Sequence, residues 1–249
     1  MRFHSKNPVL TKIASSSETS YSYVTGKTAT FSGIAIKTGI LLAIIFGISA
    51  VIWANIEALT TYLPLMIISG MIIGFISVIV ASVSNRAAPF FTILYAICEG
   101  LVLGSISGIV DFGIEAGLVA NAVLITFVIF GFLLVAYSTG IFKVGFTFRK
   151  IFMTALFSIV IFTFIYSILT LFGLSFIKVS FEFLLILSII MIIMASFSLL
   201  IDFDNCKMAV SGGLPSRYEW NLSLGLLVSL VWLYMEVLRL LILLASRRD

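Results

Sequence analysis

Four carboxylates stand in or beside sequence that is otherwise apolar. Glu99 lies in ILYAICEGLVLGS and Glu236 in VSLVWLYMEVLRLL, with Arg239 one turn after it, while Asp202 and Asp204 close a long apolar run as DFDN. An ionisable group at such a position costs several kcal/mol unless it is paired or hydrated. Two buried carboxylates with one guanidinium cannot all be charged cheaply, so one acid is expected to hold a proton or a cation. If their helices run in the same direction, Glu99 and Glu236 sit about eleven and fourteen residues from the same side, roughly 17–21 Å deep at 1.5 Å per residue. The sharper reading puts both on a permeation route. The plainer one is a Glu236–Arg239 or Glu99–Arg239 pair that only orients helices. Asp202 and Asp204 are two residues apart and do not share a helix face. Together with Glu236 they are the candidate metal ligands, and hard oxygen donors suit calcium better than a soft metal. The plainer reading of the two aspartates is a pair of solvated acids that end a helix.

The composition says what must position these groups. The chain has 249 residues, 61% of them hydrophobic and only 10% charged, with a mean hydropathy of +1.23. Soluble domains carry about 25% charged residues, so an all-α, polytopic membrane protein is expected. Seven apolar stretches follow a polar segment 1–33: approximately 34–54, 63–84, 88–110, 117–138, 151–172, 181–201 and 222–245. Each is about long enough to cross the hydrocarbon core as a helix. The third is the least distinct, set off from the second only by SNRAAP. The chain thus divides into a tail, 1–33, and a transmembrane domain, 34–249. Within the third stretch Gly100, Gly104 and Gly108 recur every four residues, a spacing that lets two helices approach closely.

Charge orders the loops. Arg2, Lys6, Lys12, Lys27, Lys37, Arg86, Lys143, Arg149, Lys150, Lys207 and Arg217 fall on one side; Glu57, Asp111, Glu115, Lys178 and Glu182 fall on the other, where they read as solvated surface charges. Short loops rich in Lys and Arg stay cytoplasmic, which puts the N-terminus inside. Arg247 and Arg248 run against this at the other terminus and leave open a last helix that re-enters. The longest connection is 202–220, DFDNCKMAVSGGLPSRYEW, a length that often marks function.

Several classes of chemistry find no support. Two cysteines, Cys98 in a span and Cys206 in the 202–220 connection, are expected to be free thiols. With one histidine, His4, in the tail, a zinc, haem or iron–sulfur cofactor is not expected. There is no phosphate loop, HExxH helix or GxSxG elbow, so an enzyme is not expected, and the net charge of +4 reads as topology rather than nucleic-acid affinity.

The KTGILLAIIFG first helix, CEGLVLGSIS in the third, DFDN after the sixth and YEW…GLLVSLVWLYMEVLRLL in the last resemble, in order and spacing, the Bax inhibitor family (the transmembrane Bax-inhibitor-motif proteins), in a bacterial branch. The resemblance covers nearly all of the chain after the tail. It implies seven helices with the last at the centre, a place in the bacterial plasma membrane and a pH-sensitive calcium leak. It also implies a gate of two aspartates near the cytoplasmic side, one on the sixth helix and one on the seventh, with an arginine latch from the second. Carried over, the sixth-helix aspartate is Asp202, or Asp204 in the alternative register, and the nearest latch is Arg86. Arg239 matches an arginine in the outer part of the last helix. The seventh-helix position falls on Ser229, which cannot titrate. Asp204, Glu219 from the connection, or a deeper sensor of Glu236 and Glu99 would have to stand in.

Two functions follow as expectations. One is a passive calcium or cation leak with carboxylates on its route. The other is a non-conducting regulator that binds other membrane proteins, such as a membrane-anchored protease, through the tail and the 202–220 connection. Calcium would be a permeant or bound ion and the lipid bilayer a partner; oligomeric state is not legible.

Overall fold

The computed structural model describes residues 27–172 and 180–247; expectations for residues 1–26, Lys178 and Arg248 lie outside them. Seven helices are long and apolar enough to cross a membrane. They are α1 (Phe31–Ala54), α2 (Leu63–Val83), α3 (Ala88–Gly113), α4 (Leu118–Ser138), α5 (Phe146–Leu171), α6 (Phe181–Ser211) and α7 (Glu219–Ala245). Polar caps and backbone breakers set their ends. The Thr30 side chain accepts from Gly33 N–H to start α1, and Ser180 does the same from Phe183 N–H for α6. Pro64 and Pro89 occupy the first turns of α2 and α3, where a missing N–H costs nothing.

Three boundaries differ from the sequence expectation. The sixth helix does not stop at 201 but continues through DFDNCKMAVS to Ser211. Nothing in that stretch breaks a helix, and Phe203, Cys206 and Ala209 keep one face buried; the carboxylates alone suggested an end. The helix stops where Gly213 takes a left-handed φ of 64°, with Leu214 N–H bonded back to Ala209 O at 3.0 Å. The connection is therefore 212–218, and Cys206 is a buried helical residue rather than a loop one. Likewise α5 begins at Phe146, which takes Arg149 and Lys150 into its first turn. Glu219 opens α7 instead of belonging to the connection. That helix runs unbroken for 27 residues, about 40 Å, long and apolar enough to cross a membrane.

The core sits around α7. It packs against α1, α3, α4 and α6 and touches α2, and Leu227, Leu233, Val237 and Leu238 are almost wholly enclosed. The third helix, the least distinct in the sequence, is the one whose apolar window is most buried. Its glycines explain this. A Cβ on Gly104 would stand 2.8 Å from the Ser49 Cα, and one on Gly100 would stand 2.9 Å from the Ile48 Cβ, so α1 lies directly on the glycine face. Ser49 Oγ then reaches the Gly100 carbonyl at 3.0 Å. By contrast α5 packs mainly along α6 and buries one side chain, Phe152.

At the end where α1 starts, the chain closes on itself. Ala29 N–H donates to Leu214 O and Ser216 N–H to Lys27 O, a short antiparallel bridge at Thr28 and Pro215. Beneath it Lys37 donates to the buried Glu219, which also accepts from the Thr30 N–H. Residues 27–30 are thus fixed to the α6–α7 connection, and the helix begins at Phe31, inside the segment expected to be tail.

Candidate functional site

Asp202 lies nine residues before the end of α6, about 13 Å from it along the axis, and not at the helix end where the sequence reading put it. It faces α7. Ser229 Oγ donates to Asp202 Oδ2 at 2.5 Å, and the Ser229 and Ser198 hydroxyls lie 2.8 Å apart. Gly225, one turn before Ser229, makes room for the carboxylate: a Cβ there would lie 3.2 Å from Asp202 Oδ1. The position expected to carry the second gate acid therefore does face the first, and a hydroxyl occupies it. A serine can donate one hydrogen bond to an ionised Asp202, or accept one from the neutral acid.

Asp204 points elsewhere, as two positions on one helix must. Its Oδ2 accepts from Arg149 Nη2 at 2.6 Å and its Oδ1 from the Tyr137 hydroxyl at 2.8 Å. Arg149 Nη1 also donates to Asn205 Oδ1 at 2.8 Å, and Asn205 lies beside Asp202. A continuous polar chain thus runs from Ser198 and Ser229 through Asp202 and Asn205 to Arg149, Asp204 and Tyr137. It joins α4, α5, α6 and α7. The cation here is Arg149, not Arg86. Among the described residues Arg86 makes no hydrogen bond or ion pair; it lies in the turn between α2 and α3, helices that pack on each other rather than on α6.

Arg149 has a second consequence. Because α5 is so sparsely packed, its guanidinium is a main polar tie between that helix and the bundle. A charge-assisted pair of this kind is stronger than a neutral hydrogen bond, and both partners are largely enclosed, at 28% and 16% exposure. Arg149→Ala should leave the remaining bundle folded and loosen α5. Hydrogen exchange is expected to rise in the first two turns of α5, residues 146–153, and not in α3; unchanged exchange there would show that Phe152 and its neighbours hold the helix alone.

The deeper pair does not form. Glu236 Oε2 accepts from Arg239 Nη1 and its Oε1 from Trp232 Nε1, both at 3.2 Å, so its partners are on its own helix. Glu99 is half-buried with Tyr95, one turn earlier, as its polar neighbour. The Ser107 and Tyr234 hydroxyls bond at 2.8 Å and set the register of the parallel helices α3 and α7. Eight residues back along each, Glu99 is level with Leu226, ten residues or about 15 Å from Glu236. Equal depth was inferred from helix starts, but side-chain packing decides how two helices slide. Glu236 and Arg239 therefore pair within α7, and neither ties that helix to another. Among the described residues no three His, Cys, Asp or Glu side chains come together to hold a metal, so Asp202, Asp204 and Glu236 are not one ligand set. Glu219, the other stand-in considered for the gate, is engaged by Lys37 at the end of the bundle.

Sequence reasoning missed Tyr137, Arg149, Ser198, Asn205 and Gly225. Arg149 had been read only as loop charge, and a signal for it existed: DFDN needs a cation, and the RK pair is the nearest one preceding it in sequence among the cations assigned to the same side of the membrane. Compared with known proteins, a family model described as Bax inhibitor 1 like matches residues 7–246. No curated protein and no solved structure matched the chain.

Proposed function

Since this chain belongs to the Bax inhibitor family, we propose that it is a passive calcium leak through the membrane, not an enzyme, with its gate at the contact between Asp202 on α6 and Ser229 on α7. The observation that carries this reading is the polar chain of Asp202, Ser229, Asn205, Arg149 and Asp204 inside helices that are otherwise apolar. Such a chain is expensive to maintain in a bilayer unless it serves the passage of an ion or a proton. Calcium is the cargo, met in passing by carboxylate and hydroxyl oxygens, the hard donors it prefers. Proton binding at Asp202 sets the pathway's state. Arg149, holding Asp204, takes the part of the latch. The excess of Lys and Arg at the clasped end makes that end cytoplasmic, and the membrane is a bacterial plasma membrane.

Of the two surfaces named for the regulator reading, residues 1–26 lie outside the described residues and the other is smaller than expected. The connection offered to a partner shrinks to 212–218, and residues 27–30 of the chain itself already cover part of it.

Liposomes loaded with a calcium dye test the proposal. The natural chain should admit calcium faster than protein-free vesicles at some pH between about 5 and 8, the range in which a perturbed carboxylate titrates. Asp202→Asn, close in shape but unable to ionise, should remove whatever pH response is seen. Flux equal to that of empty vesicles across the range, or an unaltered pH response in Asp202→Asn, defeats it.

A further inference from the structure

At the opposite end of the bundle from the clasp, α1, α3, α4 and α7 line a half-open cavity of about 330 Å³, at the small end of the ~300–1,000 Å³ typical of ligand pockets. Its wall is almost wholly apolar: Ile45, Leu103, Val123, Leu230 and Val231 are typical of it. At its far end stand the hydrogen-bonded hydroxyls of Ser107 and Tyr234 and one charged group, Asp111. Asp111 Oδ1 accepts from the Gly117 N–H at 2.7 Å. Among the described residues no cation pairs with it.

The flank of the cavity faces the space where lipid would be. α1 and α4 pack on α3, α6 and α7 rather than on each other, and the gap between them is bridged by the rings of Phe46 and Phe127, stacked at 6.0 Å. Both rings are also partly exposed on the outer surface, at 43% and 39%. Its apolar wall is a poor host for water, and behind a seam of two side chains the adjacent supply of apolar matter is the acyl chains of the bilayer. One carboxylate at the polar end, lacking a counter-charge, selects the head group.

We propose that this cavity is a lipid site: it takes one acyl chain of a bilayer phospholipid through the Phe46–Phe127 seam and places an ammonium head group, as in phosphatidylethanolamine, against Asp111. A fatty acid or a phosphatidylglycerol presents only negative or neutral groups there and is disfavoured. The acid read in the sequence as a solvated surface charge becomes the selecting group of the site. This inference is independent of whether the chain conducts calcium.

The test places the full chain in nanodiscs of mixed phosphatidylethanolamine and phosphatidylglycerol with a trace of phosphatidylethanolamine bearing a diazirine in its acyl chain. After irradiation, labelled residues are mapped by mass spectrometry. Leu103 and Val231 line the cavity and are under 9% exposed, so lipid around the outside does not reach them. They should label, whereas Val128, 63% exposed, reports the surrounding bilayer. Val123→Trp and Ala50→Phe, which fill the cavity from two sides, should each cut labelling of Leu103 and Val231 severely and leave Val128 as it was. The same diazirine on phosphatidylglycerol should label these two residues roughly five-fold less, the worth of about one partly exposed charge pair, and Asp111→Asn should erase that difference. Three results overturn the proposal: no label at Leu103 and Val231, labelling that survives both filling variants with Val128 intact, or equal labelling by the two head groups in the natural chain. Labelling by a diazirine-tailed primary amine but by neither phospholipid would assign the cavity to a free amphiphilic amine and overturn the lipid source.

Discussion

Ser229→Asp should turn a shallow pH response into a steep one. In the natural chain a hydroxyl donates to Asp202 at 2.5 Å, and protonation of Asp202 exchanges one hydrogen bond for another with no like charge nearby. A carboxylate introduced at 229 would face Asp202 at contact distance. Two acids so placed share one proton, and stripping it leaves two negative charges that repel by about 4 kcal/mol at 4 Å and an effective dielectric near 20. Only the part relieved when α6 and α7 separate drives opening, but about 1.4 kcal/mol of it already changes the open population tenfold. The sign follows: the shared proton closes the seam at low pH, and its loss opens it as pH rises. Calcium flux into dye-loaded liposomes should therefore climb at least several-fold from about pH 6 to pH 8 in the variant, and far less in the natural chain. Equal slopes would show that residues 202 and 229 do not set the gate, even though they touch.

The second large effect is on stability. Gly104→Val places a branched side chain where even a Cβ would lie 2.8 Å from the Ser49 Cα and 3.1 Å from the Ile52 Cβ. Backbone cannot swing aside as a flexible side chain can, so α1 must move off α3 along the whole glycine face. Overpacking of this sort costs about 1–3 kcal/mol, and more when main chain has to shift; we expect about 3 kcal/mol and the loss of the Ser49–Gly100 bond. Gly131→Val on α4 is the control, because nothing lies within 4 Å of its Cβ position and surface changes stay within about 0.5 kcal/mol. Denaturation midpoints of the two variants in the same detergent make the comparison. Equal midpoints would mean the α1–α3 seam has slack that the structure lacks.

The seam also shows which kind of signal a sequence carries well. Small residues every fourth position in CEGLVLGSISG mark a close-packed face, and the structure presses α1 onto it. Hydropathy likewise picked out seven helices, since a backbone in lipid must satisfy its own hydrogen bonds and has few alternatives. Where helices stop was less legible. Asp202 and Asp204 looked like the end of α6 because charge and bilayer depth are correlated, yet only Gly213 with its positive φ ends it. Partners across helices were the least legible of all.

By itself, then, the sequence determined the membrane class, the number of spans and the glycine face, while the place of Ser229 opposite a sixth-helix aspartate was only what the family resemblance implied. The first three depend on composition or on spacing along one helix, where 3.6 residues per turn fixes who shares a face. The tertiary structure alone decided that Arg149 rather than Arg86 holds the aspartate pair's outer member, that Glu99 and Glu236 are about 15 Å apart along the axis, and that Asp111 closes an apolar cavity. Those facts depend on how far one helix slides and turns against another. Sliding and rotation are set by the sum of many side-chain contacts between distant segments, and no local pattern records that sum.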